Sequence, residues 1–99
     1  MRRPILYGTL LPNTEMGNPN RKASPEIRWR LSTNLKRLRR VRGYTQRELA
    51  KVCGFNTSYI GNVEQGTVNI TLANLETLAK GLNCTIEDLV RRPPERNPS

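Results

Sequence analysis

Residues 45–66, TQRELAKVCGFNTSYIGNVEQG, restrict the fold more than any other stretch of this chain. They read as two short helices around a tight turn. Thr45 suits an N-cap, and Glu48 three residues on completes the capping box T-x-x-E, in which each residue's side chain satisfies a backbone N–H of the other. Leu49, Ala50, Val52 and Cys53 supply the apolar positions of a helix of about two turns. Gly54 stands where a left-handed residue stops a helix. Asn56 is the next cap. Behind it Ile60 and Val63 share one face, with Phe55 at the entrance, and Gly66 closes the second helix. Thr57, Ser58, Gly61 and Asn62 are small or short and polar. A helix apolar behind and hydrogen-bonding in front fits another surface, and the major groove of DNA is the candidate.

Charge agrees with that reading. The 99 residues suffice for one domain and carry a formal charge of +9, which favours nucleic acid or an anionic membrane as partner. A basic protein that is merely soluble is the alternative. No run of 18 or more apolar residues occurs, so no membrane span is expected. The start, MRRPILYGTLLP, imitates a signal peptide, but Gly8, Thr9 and Pro12 break its apolar patch; a cytoplasmic protein is expected. Cys53 and Cys84 each fall inside apolar periodicity and the chain has no His, so neither a metal site nor a disulfide framework is indicated. No nucleophile motif and no phosphate loop appears. An enzyme is not expected, and no cofactor is called for.

Along the chain, residues 1–23 carry Pro4, Pro12, Pro19, Gly8 and Gly17, and no helical period survives. A flexible tail is expected there, with a short strand or docked arm of Ile5, Leu6, Tyr7, Leu10 and Leu11 as the alternative. Arg2, Arg3, Arg21 and Lys22 let either form touch phosphates or enter a minor groove. Ser24-Pro25-Glu26 opens a first helix. Its stripe is Ile27, Leu31, Leu35, Leu38 and Val41. Arg28, Arg30, Lys36, Arg37, Arg39, Arg40 and Arg42 crowd the same helix with no acid between Ile27 and Arg47. Thr71 caps a fourth helix with Leu72, Leu75, Leu78, Ala79 and Leu82 inside, ended by Gly81 or Asn83. Thr85 and Asp88 form a second capping box that opens a short fifth helix. Pro93-Pro94 forbids continuation. The expected architecture is all-α, with helices near 25–42, 45–53, 57–65, 72–82 and 86–91. The domain is expected over 24–91, between an arm at 1–23 and a tail at 92–99.

The block TQRELA, the turn at Gly54, Tyr59-Ile60 and Val63-Glu64-Gln65-Gly66 resemble the helix-turn-helix of the Cro and phage-repressor family. With NITLANLETLAKGL after them they look most like the small controller proteins of bacterial restriction–modification systems, from about residue 35 to 89. Where controller proteins often carry Arg in the leading turn of the recognition helix and in the loop after it, this chain has Thr57 and Val68.

Gln46, at a helix N-terminus whose free N–H groups attract anions, is placed to brace a phosphate, and the resemblance implies the same. The resemblance also implies that Thr57, Ser58 and Asn62 touch bases and that Tyr59 and Asn69 lie near the DNA backbone. Asn56 has its capping role as an alternative. For Tyr59 the alternative is packing of its ring against the first helix. The resemblance further implies an ion pair between Glu64 and Arg39, which removes Arg39 from the DNA contacts and leaves Lys36, Arg37, Arg40 and Arg42 with Asn56. Leu72, Leu75, Ile86, Leu89 and Val90 are the expected dimer interface, since the family's smallest members associate by this end. The expected function is a small transcription regulator that binds double-stranded DNA as a homodimer on a two-part operator and acts by blocking or placing RNA polymerase. The rival readings are the antitoxin of a toxin–antitoxin pair, with residues 5–11 wrapping a toxin, and an adaptor that bridges proteins.

Overall fold

A computed structural model of the chain describes residues 21–94. Among these residues it forms five helices and no strand: α1 (Pro25–Val41), α2 (Gln46–Cys53), α3 (Thr57–Glu64), α4 (Leu72–Leu82) and α5 (Ile86–Val90). The apolar patch of residues 5–11, with Arg2 and Arg3, lies outside the described residues.

Each helix starts on the cap its sequence offers. Ser24 Oγ accepts from the Ile27 N–H at 3.2 Å, ahead of Pro25 at the first position. Thr45 with Glu48 and Thr85 with Asp88 close reciprocal capping boxes. Asn56 accepts from the Tyr59 N–H and Thr71 from the Asn74 N–H, each at 3.0 Å. These side-chain oxygens satisfy donors that a helix start leaves orphaned. Gly54, at φ 78°, stops α2, and Asn83, at φ 55°, stops α4. Gly81 stays inside α4 for a packing reason: a Cβ there would lie 2.6 Å from Cys53 Sγ. The missing side chain lets α4 cross α2 closely.

The core gathers Leu31 and Leu35 from α1, Leu49 and Ala50 from α2, and Ile60 and Val63 from α3. From the last two helices come Leu75, Leu78, Ala79, Leu82 and Leu89. Leu75 and Leu89 are therefore corrected from dimer interface to core; their side chains are used up inside one chain. Three other apolar positions expected inside are outside. Val41 is 65% exposed, Val52 52% and Leu72 78%. At about 100° per residue Val41 has rotated off the stripe. Polar side chains of α1 turn inward instead: Asn34 is fully buried and donates through Nδ2 to the carbonyls of Leu89 at 3.0 Å and Arg91 at 2.9 Å, fastening α5 to α1. Pro93 is also buried and Ala23 is hydrogen-bonded to Asn69 and Arg28, so the folded unit reaches slightly past both expected boundaries.

Candidate nucleic-acid interface

The turn between α2 and α3 fixes how α3 meets solvent. Gly54 N–H and Phe55 N–H bond back to the end of α2, the latter to Ala50 O at 2.9 Å. Asn56 then caps α3. Ile60, Val63 and Glu64 point inward. Thr57, Ser58, Asn62 and Gln65 are exposed. Gly61 faces α2, where an added Cβ would come within 3.7 Å of Gln46 Oε1.

The outward side chains differ in what they have left to offer. The Ser58 hydroxyl donates to Asn56 Oδ1 at 3.1 Å, so its proton serves the cap. The side chains of Thr57 and Asn62 make no hydrogen bond to any described residue; the Asn62 backbone carbonyl accepts from Thr67, at 3.1 Å from both its N and its Oγ1, and from the Gln65 N–H at 3.2 Å. Asn62 thus presents an acceptor and a donor together, which match the N6–H2 donor and the N7 acceptor of adenine in the major groove.

Beneath this face Glu64 is held from two sides. Arg39 Nε donates to Oε2 at 2.6 Å and Arg39 Nη2 to Oε1 at 3.2 Å. Gln46 Nε2 adds a bond to Oε1 at 3.0 Å. The side chains are 11% and 3% exposed, so the ion pair joins α1 to α3 out of water. Gln46 is thereby placed differently from a free phosphate ligand: its amide nitrogen is engaged with Glu64. Tyr59 packs on Phe55, ring centroids 4.8 Å apart, and its hydroxyl accepts from Asn74 Nδ2 at 2.9 Å. It fastens α3 to α4, so the structural alternative weighed for it, packing against the first helix, is replaced by a tie to the fourth.

The cations divide into three groups. Arg42 is withdrawn from the phosphate contacts, because its guanidinium donates to Leu82 O at 2.6 Å and Asn83 O at 3.1 Å. There it neutralises the carbonyl end of α4. Arg37 lies on the flank of α1 next to α5: its Nη2 donates to Asn34 Oδ1 at 3.3 Å and its charge acts on Asp88. The side chains of Lys36 and Arg40 have no ion pair or hydrogen bond among the described residues and remain available. Sequence reasoning passed over Arg47, which is exposed in the first turn of α2 and equally unpaired among the described residues. Its place next to Gln46 was the signal. Asn69, expected near DNA, accepts from the Ala23 N–H at 2.9 Å.

Among the described residues no group of His, Cys, Asp or Glu could hold a metal, and no helix is long and apolar enough to cross a membrane. Burial pushes the thiols of Cys53 and Cys84 up, so both are neutral packing groups at pH 7.

The helix-turn-helix family matches residues 35–89. Control protein C.SmaI of Serratia marcescens is 35% identical over 72 residues, which span 73% of this chain and 86% of that protein. A hypothetical transcription factor from Neisseria superposes with a TM-score of 0.67 at 30% identity, covering 80% of this chain and 92% of its own. The restriction-modification controller protein C.AhdI from Aeromonas hydrophila does so with a TM-score of 0.61 at 34% identity, over 63% of this chain and 94% of its own. With the capped turn and exposed α3 described above, these likenesses establish that the chain belongs to the Cro/C1-type helix-turn-helix family of DNA-binding regulators and is related within it to controller proteins.

Proposed function

We propose that the protein is a sequence-specific transcription regulator that binds double-stranded DNA as a homodimer, with one α3 in the major groove of each half of a two-part operator. The observation that carries this reading is the outer face of α3, where Thr57 and Asn62 are exposed and keep their side-chain hydrogen bonds unspent. Thr57, Ser58 and Asn62 read bases. Lys36, Arg40 and Arg47 supply phosphate contacts, and Asn56 and Gln46 hold the helix ends that approach the backbone. None of the base-facing side chains is an Arg that could fork onto guanine, so α3 sits close to the bases and part of the discrimination comes from DNA shape and bridging water.

Exposed Leu72, with half-buried Val68, Ile70, Ile86 and Val90, supports a dimer surface at the α4–α5 end. The protein acts by occupancy in the compartment that holds its DNA, the cytoplasm of a bacterium if it works as the named control protein does, and uses no catalytic group. The antitoxin alternative depends on residues 5–11, outside the described residues, while the relatives named above favour the regulator. Selection of bound sites from random duplex DNA tests the proposal. The expected product is an inverted repeat whose half-sites lie about one helical turn, roughly 10 base pairs, apart. Recovery of no enriched sequence overturns sequence-specific reading.

A further inference from the structure

Gly81 and Gly61 both lie inside helices, for different reasons. At Gly81 packing forbids a side chain, since an added Cβ would meet Cys53 Sγ at 2.6 Å. At Gly61 the nearest atom beyond the backbone of α3 is Gln46 Oε1, at 3.7 Å, an ordinary van der Waals distance. Alanine would fit there, and a helix interior favours it because it loses less backbone freedom on folding. Folding therefore does not ask for the gap at Gly61. The gap is a notch in the outer face of α3, between the exposed Thr57 and Gln65 one turn to either side. The half-buried Gln46 forms its wall, and the orientation of that amide is dictated from behind. The Glu64 carboxylate, paired with Arg39, only accepts hydrogen bonds, so Gln46 meets it with nitrogen, at 3.0 Å. The amide oxygen is thereby turned away from Glu64, and it is the atom beside Gly61. It accepts no hydrogen bond from any described residue.

Resting on the DNA-binding reading above, we infer that Gln46 Oε1 and the notch at Gly61 form a further base-reading subsite, which takes the exocyclic amino group of an adenine or a cytosine. Those amino groups are the hydrogen-bond donors that base edges offer in the major groove. A phosphate oxygen is an acceptor, as Oε1 is, and gains nothing from it. Guanine O6 or thymine O4 in the same place would set acceptor against acceptor, so a fixed Oε1 discriminates by repulsion as well as by attraction. Asn62 differs, because both ends of its amide are unspent and it can turn to suit the base. The glycine lets the amino group come within about 3 Å of Oε1, where a methyl group on α3 would stand in the way.

The test begins from a selected duplex and removes one amino group at a time. Each adenine of a half-site is replaced in turn by unsubstituted purine, and each cytosine by pyrimidinone. Affinities are measured for wild type, Gln46→Met and Gly61→Ala, so that the weakened base pairing, common to all three, cancels. At one position wild type should lose about ten-fold, the worth of one well-placed hydrogen bond. Gln46→Met, which keeps the length of the side chain without the amide, should lose nothing further there and keep wild-type sensitivity at every other position. Gly61→Ala leaves both Gln46 and Glu64 in place. It should show the same pattern on DNA while its melting temperature rises by a few degrees, the opposite of what losing a structural residue does. If Gln46→Met weakens binding to the parent duplex and to every analogue by the same factor, Gln46 is a phosphate contact and the subsite is overturned. Full affinity of Gly61→Ala for the parent duplex overturns it too. Wild type that prefers no duplex overturns the DNA reading itself, and the subsite with it.

Discussion

Glu64 shows how much a single buried charge can organise. Its carboxylate takes three bonds, two from Arg39 and one from Gln46, so α1, α2 and α3 are all anchored at one point. Removing it leaves the Arg39 guanidinium buried with only Tyr44 O, at 2.8 Å, as partner. Glu64→Ala should therefore destabilise the fold by about 3–5 kcal/mol, the range for breaking a buried pair from one side. An unchanged urea midpoint would show that the pair carries no stability. At the surface the roles separate differently. Phosphate is the same in every sequence, so Arg40→Ala should weaken binding to all duplexes alike and flatten the salt slope by roughly one. Asn62→Ala should cost about 1–3 kcal/mol on the preferred site and little on random DNA. Competition binding against both duplexes decides; the opposite pattern would exchange the two assignments.

Helices α2 and α4 meet where a glycine replaces a side chain. In isolation Gly81→Ala favours a helix by about 1 kcal/mol, because alanine loses less backbone freedom on folding. Here the new methyl would meet Cys53 Sγ at 2.6 Å, with Val52 Cγ1 at 3.5 Å behind it. Overpacking of this kind costs about 1–3 kcal/mol, so the net effect should be destabilising. In a Cys53→Ala background the obstacle is gone and Gly81→Ala should become neutral or stabilising. Thermal melts of the four proteins in this cycle check it, and additive effects would mean the helices are not in contact there. At α5 the capping box has a pH signature. The Thr85 backbone N–H and hydroxyl hold the Asp88 carboxyl below its ordinary value, with Arg91 and Arg37 assisting. A depressed carboxyl stabilises the fold above its unfolded value, near 3.9, and that contribution is lost as pH falls from there through the folded value. Asp88→Asn should therefore show a smaller loss of melting temperature than wild type as the pH is lowered from about 5 through the carboxylate range. Parallel curves would remove the cap from the account of acid stability.

For the whole molecule the property to test is the proposed association. A folded unit of this size is only marginally stable alone, and burial between copies adds to it. The surface for it is narrower than the sequence suggests, because Leu75 and Leu89 already fill the core. Among the described residues Leu72 is the most exposed large apolar side chain, so Leu72→Glu should abolish dimers without unfolding the chain. Sedimentation should find wild type dimeric at micromolar concentration and the variant monomeric. Circular dichroism of both should be equally helical. Wild type that stays monomeric both free and on DNA would rule out the homodimer.

Elements were legible because local chemistry sets them. Caps at Ser24, Thr45, Asn56, Thr71 and Thr85, with stops at Gly54 and Asn83, act over three or four residues, and those residues stand together in the sequence. The outward position of Thr57, Ser58 and Asn62 follows from the same period that buries Ile60 and Val63. The destination of long side chains was not legible. Arg37, Arg40 and Arg42 look alike in sequence, yet Arg42 reaches the end of α4 and Arg37 lies beside α5, while Arg40 stays unpaired among the described residues. The same holds for Asn34, Gln46 and Asn69, which found partners on other elements. Periodicity says which face a residue occupies. Only the packing of helices far apart in sequence brings a particular carbonyl or carboxylate within reach of that face, and so decides which polar groups are spent on the fold and which are left for DNA.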